Sequence, residues 1–195
     1  MNNTNHRLTV LLDRDGVINR NRSDYVKSWE EFEFLPGSLE ALRMLAEQGT
    51  RVVVTTNQSV VGRGLLSRGE LDRIHVRMTE EIEAHGGRIA AVLCCPHSPD
   101  DGCLCRKPQP GLLLEAVDRF QLAPDLCYVV GDSLDDLMAA HAVGMRYVMV
   151  LTGRGLRSLL RPSGWGRRPS WVARDLKTVT HWMLHREGLL ERRVA

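Results

Sequence analysis

A chain of 195 residues with 43% hydrophobic content is long enough for one domain with a full core, which excludes a disordered protein. Its net charge of +2 gives no footprint for nucleic acid or an anionic membrane, and no apolar run is long enough to span a bilayer. Five cysteines, an odd number, argue against a disulfide framework. The polar start Met1-Asn2-Asn3-Thr4-Asn5-His6 lacks the apolar region of a signal peptide, so the expectation is a cytoplasmic protein. No segment reads as an oligomerisation element, and a monomer is expected.

The first apolar run, residues 9–12, reads as a buried strand that ends at Asp13-Arg14-Asp15-Gly16. Leu39, Leu42, Leu45 and Ala46 then recur at helical spacing, followed by a strand at 51–55. A capping box, Ser67 to Glu70, opens a helix carrying Leu71, Ile74, Met78 and Ile82. A strand at 90–94 precedes a helix with Leu113, Ala116, Val117 and Phe120. A strand at 127–130 precedes one with Leu134, Leu137, Met138 and His141. A fifth strand is expected at 147–151, a loop at 163–169, a short edge strand at Trp171-Val172 and a closing helix through Leu176, Val179 and Met183. This alternation predicts a single α/β domain over 1–195, a Rossmann-like parallel sheet with helices on both faces. His75 and His141 fall on or near apolar helix faces and read as packed residues, and Trp165, Trp171 and Trp182 as packing anchors. Between Asp136 and Asp175 there is no acidic residue, while Arg146, Arg154, Arg157, Arg161, Arg167, Arg168 and Arg174 all fall there. The preferred reading is a solvated basic loop; the weaker one is attraction of an anionic substrate.

Open α/β sheets bind ligands at the carboxyl ends of their strands. Asp13 and Asp15 at such an end suggest metal-assisted phosphoryl chemistry with a carboxylate nucleophile, although the same spacing occurs in calcium loops and turns. Three further strand ends carry phosphate-binding chemistry. Thr55-Thr56-Asn57-Gln58 offers a hydroxyl and backbone N–H groups. Gly131-Asp132 places a carboxylate opposite the first pair, with Asp135 and Asp136 in the first turn of a helix, where acids also suit the helix dipole. Arg106-Lys107-Pro108 supplies a point charge and an adjacent guanidinium. Two carboxylates and a backbone carbonyl are a plausible protein share of a Mg²⁺ site. Cys95, His97, Cys103 and Cys105 form a closed zinc set in a loop over 95–105, and Cys105 directly precedes Arg106-Lys107. Cys94 and Cys127 read as buried hydrophobes.

Taken together, Asp13-Arg14-Asp15-Gly16, Thr56-Asn57-Gln58, Lys107 and Gly131-Asp132 with Asp136 resemble the four motifs of the haloacid dehalogenase superfamily of phosphatases, in order. Tyr25-Val26, Arg63-Gly64, Cys95-Pro96-His97 and Cys103-Leu104-Cys105-Arg106-Lys107-Pro108 are most similar to its heptose bisphosphate 7-phosphatase group. The departures are a loop at 19–25 one residue longer than expected, Val17 in place of threonine, and Ser59-Val60-Val61-Gly62 in place of a Ser-Gly pattern. These positions are expected in substrate-facing loops. The resemblance implies a capless fold and a catalytic set of Asp13 as nucleophile, Asp15 as acid and base, and Thr56 and Lys107 steadying the phosphoryl group. It implies Mg²⁺ on Asp13, the Asp15 carbonyl and Asp132, with Asp136 behind, and structural Zn²⁺ on Cys95, His97, Cys103 and Cys105. Asn57, Gln58, Arg106 and Tyr25 would contact a small phosphorylated sugar, with loop 21–25 and Arg106 selecting it. The rival readings are a histidinol-phosphate phosphatase, a polynucleotide 3′-phosphatase and, among non-enzymes, a zinc-stabilised binding module or a phosphoacceptor domain.

Overall fold

Runs of β-branched and aliphatic residues that are buried throughout become strands, and the amphipathic runs between them become helices. The computed structural model describes residues 8–160 and 168–190. In chain order these form β1 (Thr9–Leu12), α1 (Ser38–Glu47), β2 (Arg51–Asn57), α2 (Ser59–Gly62), α3 (Arg68–Ala84), β3 (Ala91–Cys95) and α4 (Gly111–Phe120). Then follow β4 (Cys127–Gly131), α5 (Leu134–Val143), β5 (Arg146–Val150), α6 (Gly155–Leu159), β6 (Trp171–Ala173) and α7 (Leu176–Arg186). The six strands pair in parallel in the order β3-β2-β1-β4-β5-β6.

Alternate residues of the central strands feed two cores. Val10, Leu12, Val52, Val54 and Val130 pack under α1, α3 and α7. Leu11, Val53, Val129 and Met149 pack under α4 and α5. Burial on both faces is what makes these strands continuous apolar runs, since helices cover a parallel sheet on each side. Each such Leu or Val contributes about 1.5–3 kcal/mol relative to exposure. The expected capping box is present at α3, where Ser67 Oγ accepts from the Glu70 N–H at 3.2 Å and the Ser67 N–H donates to Glu70 Oε2 at 2.9 Å.

The differences from the sequence reading are local. β2 runs on to Asn57, two residues past the expected end, because the polar residues Thr55, Thr56 and Asn57 keep pairing with β3. α2 and α6 were not expected, being four and five residues long and too short to show a period. On α5, Leu137, Ala139 and Ala140 are buried and Met138 is 56% exposed, so the apolar face is one residue off the expected one. Val17 and Val60 are 1% and 0% exposed and belong to the core, so these departures change packing and do not face the substrate side. Trp171 and Trp182 stack at 4.7 Å as packing anchors. Trp165, Arg161 and Arg167 lie outside the described residues. Among the described residues, no helix is long and apolar enough to cross a membrane.

β1 is the switch point of the sheet. The chain leaves it toward β2 and β3 on one side and returns to β4, β5 and β6 on the other, which opens a crevice at the carboxyl ends of β1 and β4. Among the described residues, no cap covers that crevice. The residues after β1 form a compact loop instead, pinned by the Trp29–Phe32 stack at 5.2 Å and by Phe34 against both rings.

Candidate active site

The Asp13 N–H donates to the Val130 carbonyl at 2.9 Å, extending the β1–β4 ladder by one residue and setting Asp13 at the mouth of the crevice. Gly16 then turns the chain with φ +87, and a Cβ there would lie 2.2 Å from Asp132 Oδ2, so only glycine allows Asp132 to approach. Carboxylate oxygens of Asp13, Asp132 and Asp136 all lie within 4.8 Å of one another. Burial pushes Asp13 up to about 7; Lys107 opposes this, while Asp136 and Asp15 add repulsion. Burial and the charges of Asp13 and Asp136 push Asp132 up to about 8.

Lys107 is the cation facing these acids. Its Nζ donates to Asp13 Oδ1 at 3.0 Å, to the Thr55 carbonyl at 2.7 Å and to Asp136 Oδ1 at 2.5 Å. Burial opposes the charge on Lys107, but the two carboxylates outweigh it and hold the ammonium protonated. Asp136 spends its other oxygen on the Ser133 hydroxyl at 2.5 Å, so it braces the cluster from behind. Asp13 and Asp132 are the acids left for a cation. Two buried carboxylates and a half-buried one against one ammonium are short of positive charge, and hard oxygen donors suit a divalent cation such as Mg²⁺.

Asp15 faces a different set of partners. It accepts from Arg14 Nη2 and Nε at 2.9 and 3.2 Å, from Asn19 Nδ2 at 2.9 Å and from Gln58 Nε2 at 2.6 Å. Burial would raise its pKa, but the Arg14 charge and these four bonds hold it below the usual carboxylate value. Gln58 Nε2 also donates to Thr56 Oγ1 at 2.8 Å. Thr56 is 1% exposed and sits behind the cleft wall, which Asn57, Gln58 and Ser59 make; no acceptor for its own proton is present among the described residues.

Asn57 lines the cleft and at the same time holds Lys107. Its Nδ2 donates to the Lys107 carbonyl at 2.9 Å and its Oδ1 accepts from the Lys107 N–H at 3.1 Å, so both amide atoms hold the lysine backbone. Tyr25 and Arg106 are brought together as expected, and with Asn21, Arg22 and Ser23 they line a cleft of about 290 Å³ over Asp13. Several lining residues were not in the candidate set, Arg63 and Arg154 among them. Arg63 faces the Tyr25 phenol; the Ser59 hydroxyl first, and then Arg63 and Arg106, lower the pKa of that phenol. Arg63-Gly64 was visible in the sequence as part of the resemblance. Arg154 also lines the cleft, and its backbone N–H donates to Asp132 Oδ2 at 2.7 Å, so the basic stretch is not uniformly a solvated loop. Elsewhere in that stretch Arg146 pairs with Glu187 and Arg174 with Asp175.

Beside the cleft, Cys95, His97, Cys103 and Cys105 converge. Cys95 and Cys105 Sγ each lie 3.6 Å from Cys103 Sγ, and His97 Nδ1 lies 3.5 and 3.2 Å from Cys95 and Cys105. A tetrahedron with ordinary zinc–sulfur and zinc–nitrogen bonds has edges of roughly 3.5–3.8 Å, so this donor set fits Zn²⁺, whereas a disulfide would need about 2 Å. Helix α4 packs directly on the loop: a Cβ at Gly111 would lie 2.4 Å from the Leu104 carbonyl oxygen.

A HAD-hydrolase-like family model matches residues 104–179. The chain is 42% identical over 156 residues to D-glycero-beta-D-manno-heptose-1,7-bisphosphate 7-phosphatase of Pseudomonas aeruginosa, covering 80% of this chain and 88% of the relative. It is 44% identical over 140 residues to D-glycero-alpha-D-manno-heptose-1,7-bisphosphate 7-phosphatase of Mycobacterium tuberculosis, covering 71% and 74%. The crystal structure of D,D-heptose 1,7-bisphosphate phosphatase from Bordetella bronchiseptica, complexed with magnesium and phosphate, superposes with a TM-score of 0.87. Its sequence is 39% identical, and the match covers 92% of this chain and 99% of that one. Sheet order, cleft and sequence likeness agree, and the chain belongs to the heptose 1,7-bisphosphate 7-phosphatase family of haloacid dehalogenase-like phosphatases.

Proposed function

We propose that this protein is a Mg²⁺-dependent phosphomonoesterase, one capless domain, that removes the 7-phosphate of D-glycero-D-manno-heptose 1,7-bisphosphate. The observation that carries this reading is the contact of Lys107 Nζ with Asp13 at 3.0 Å beside buried Asp132, at the floor of a cleft rimmed by Tyr25, Arg63 and Arg106. A nucleophile, its countercharge and a separate cationic rim suit a substrate with two phosphates.

In the proposed reaction Asp13 attacks phosphorus in line and forms an aspartyl-phosphate, while the departing sugar oxygen takes a proton from Asp15. The dianionic phosphoryl group raises the proton affinity of Asp15 on binding, so the carboxylate takes up a proton from solvent, and that proton is the one it delivers. Water then attacks the aspartyl-phosphate, and Asp15, gripped as a carboxylate by Arg14, accepts its proton. Lys107 steadies the phosphoryl oxygens, and Thr56, behind the wall, would act on them by holding Gln58. Asp13, Asp132 and the Asp15 carbonyl would hold Mg²⁺, which supplies charge neutralisation at those oxygens when bound. Zn²⁺ on Cys95, His97, Cys103 and Cys105 would be structural, fixing Arg106 and Lys107 at the end of its loop. Arg106, Arg63 and the Tyr25 phenol would receive the second phosphate, with Gln58 facing the cleft and Asn57 acting through Lys107.

Phosphate release, with Mg²⁺, from both anomers of heptose 1,7-bisphosphate, histidinol phosphate and fructose 1,6-bisphosphate tests the reading, with Asp13→Asn as blank. A strong preference for a heptose bisphosphate, abolished in the variant, supports it. Preference for histidinol phosphate keeps the chemistry and changes the substrate, and no release from any of them refutes the assignment.

A further inference from the structure

Arg14 stands between the two acids of the first strand end, and the reaction as proposed uses only one edge of it. It is 0% exposed and heads the fully buried side chains by volume among the described residues. Its Nε and Nη2 edge grips both oxygens of Asp15 at 3.2 and 2.9 Å. The third nitrogen, Nη1, points the other way and meets Nε2 of His75 at 3.1 Å, from a helix 61 residues further along the chain. The guanidinium also lies 5.8 Å from the centroid of the Phe32 ring.

A guanidinium carries donors and no acceptor. His75 Nε2 must therefore accept, which fixes the imidazole as the neutral Nδ1–H form. Burial, followed by the Arg14 charge, pushes His75 down to about 3, in keeping with that form. His75 is 7% exposed on α3, whose other buried residues are Leu71, Ile74, Met78 and Ile82. An aliphatic residue would suit such a face better unless the polar atom had a task, and the partner it has here is the far end of the guanidinium that holds Asp15.

We propose that His75 is a positioning residue for Asp15. By anchoring Nη1 it fixes the plane of Arg14, and that plane keeps the Asp15 carboxylate aimed at the leaving oxygen. This rests on the reading of Asp15 as proton donor. It makes a distinctive demand: loss of His75 harms proton transfer to the leaving group and spares the attack of Asp13 on phosphorus.

The test compares two substrates with the full-length protein and Mg²⁺. The sugar oxygen of heptose 1,7-bisphosphate needs a proton to leave, whereas the phenolate of p-nitrophenyl phosphate does not. General acids contribute about 10²–10⁴-fold, and a misaligned one forfeits part of that, about tenfold or more. His75→Leu and His75→Ala should therefore lower kcat on the heptose substrate by about tenfold, leave kcat on p-nitrophenyl phosphate within about twofold, and leave both KM values in place. Alanine guards against misfolding, because water can enter beside Nη1 where leucine strands a buried donor. His75→Gln, whose Oε1 can accept, should recover most of the loss. An equal fall on both substrates, or an unchanged ratio, overturns the proposal. Asp15→Asn separates the two failures. If it keeps turning over the heptose substrate, the Asp15 reading itself is wrong and the proposal falls with it; if it loses that substrate selectively while His75→Ala does not, only the positioning role is refuted.

Discussion

Replacing Asn57 with alanine separates two readings of the same residue. The amide makes two hydrogen bonds to the Lys107 backbone, at 2.9 and 3.1 Å, and through them sets where the ammonium stands relative to Asp13. Each such bond contributes about 1 kcal/mol net, so the pair amounts to roughly 2 kcal/mol. If all of it is lost from the transition state, kcat falls by about 30-fold, because about 1.4 kcal/mol is a factor of ten. Any share lost from folding instead lowers Tm, by about 2–4 °C per kcal/mol for a chain of this size. Steady-state kinetics with Mg²⁺ and a thermal melt measure both shares. Asn57→Asp should be worse than alanine, since it keeps the acceptor for the Lys107 N–H but sets a carboxylate oxygen against the Lys107 carbonyl. A rise in KM at unchanged kcat would refute the clamp, because it means that Asn57 binds the ground state directly.

Three other perturbations test the rest of the site. Lys107→Met leaves Asp13 and Asp136 without their shared cation; destabilisation of about 3–5 kcal/mol in urea unfolding and a kcat loss above about 100-fold are expected, and near wild-type turnover would remove Lys107 from the chemistry. Cys103→Ser should cut bound zinc, measured by elemental analysis, from one ion per chain toward none and lower both Tm and activity; full activity in a zinc-free variant would disconnect the loop from the cleft. The third concerns pH. Asp13 and Asp132 have folded values raised from 3.8 to about 7 and about 8, so the folded state binds more protons than the unfolded one between those limits. Stability is therefore fullest below about pH 4 as far as these two are concerned and is lost as pH rises through about 7–8. Asp15, held below 3.8, acts oppositely and withdraws its contribution only at lower pH. Urea midpoints in magnesium-free buffer should fall from pH 5 to pH 8, and added Mg²⁺ should flatten the slope; midpoints that rise over that range would show that the acid cluster does not govern stability there.

The strands were legible because a parallel sheet buries both faces, leaving runs such as Val52-Val53-Val54 that contrast with everything around them. The capping box of α3 was legible because two side chains at fixed spacing carry it. The acids were legible as well, since Asp13 and Asp132 sit where strands end. What escaped was set by tertiary contact. A four-residue helix such as α2 has no period to read. Asn57 has the composition of a ligand contact, and only the fold brings Lys107, 50 residues away, within reach of both its amide atoms. Val17 and Val60 lie beside motif residues in sequence, yet their side chains turn into the core. Arg63 stood in the sequence as part of a motif without a role, until the turn at α2 set it across from Tyr25.

With no cap over the cleft among the described residues, the burden of selection falls on backbone that is itself unusual. Tyr25 has φ 68, a left-handed conformation that costs a non-glycine residue of order 1 kcal/mol or more. That conformation is held from two sides: Arg22 Nε donates to the Tyr25 carbonyl at 3.2 Å and Lys27 Nζ at 3.5 Å, while the Ser59 hydroxyl donates to the phenol at 3.4 Å. Val26 next to it is 1% exposed and anchors the loop in the core. Strain with this much support around it persists where a side chain has to be aimed, and the aim here is toward Arg63 and Arg106. Arg106 is fixed from the opposite direction, by its Nη1 bond to the His97 carbonyl at 3.3 Å and by its place after Cys105. Two loops from different parts of the chain, one tied down by an aromatic cluster and one that gathers three thiols and an imidazole, thus meet over Asp13. Their convergence is the physical basis for proposing that Tyr25, Arg63 and Arg106 recognise the second phosphate while the strand ends beneath them carry the chemistry.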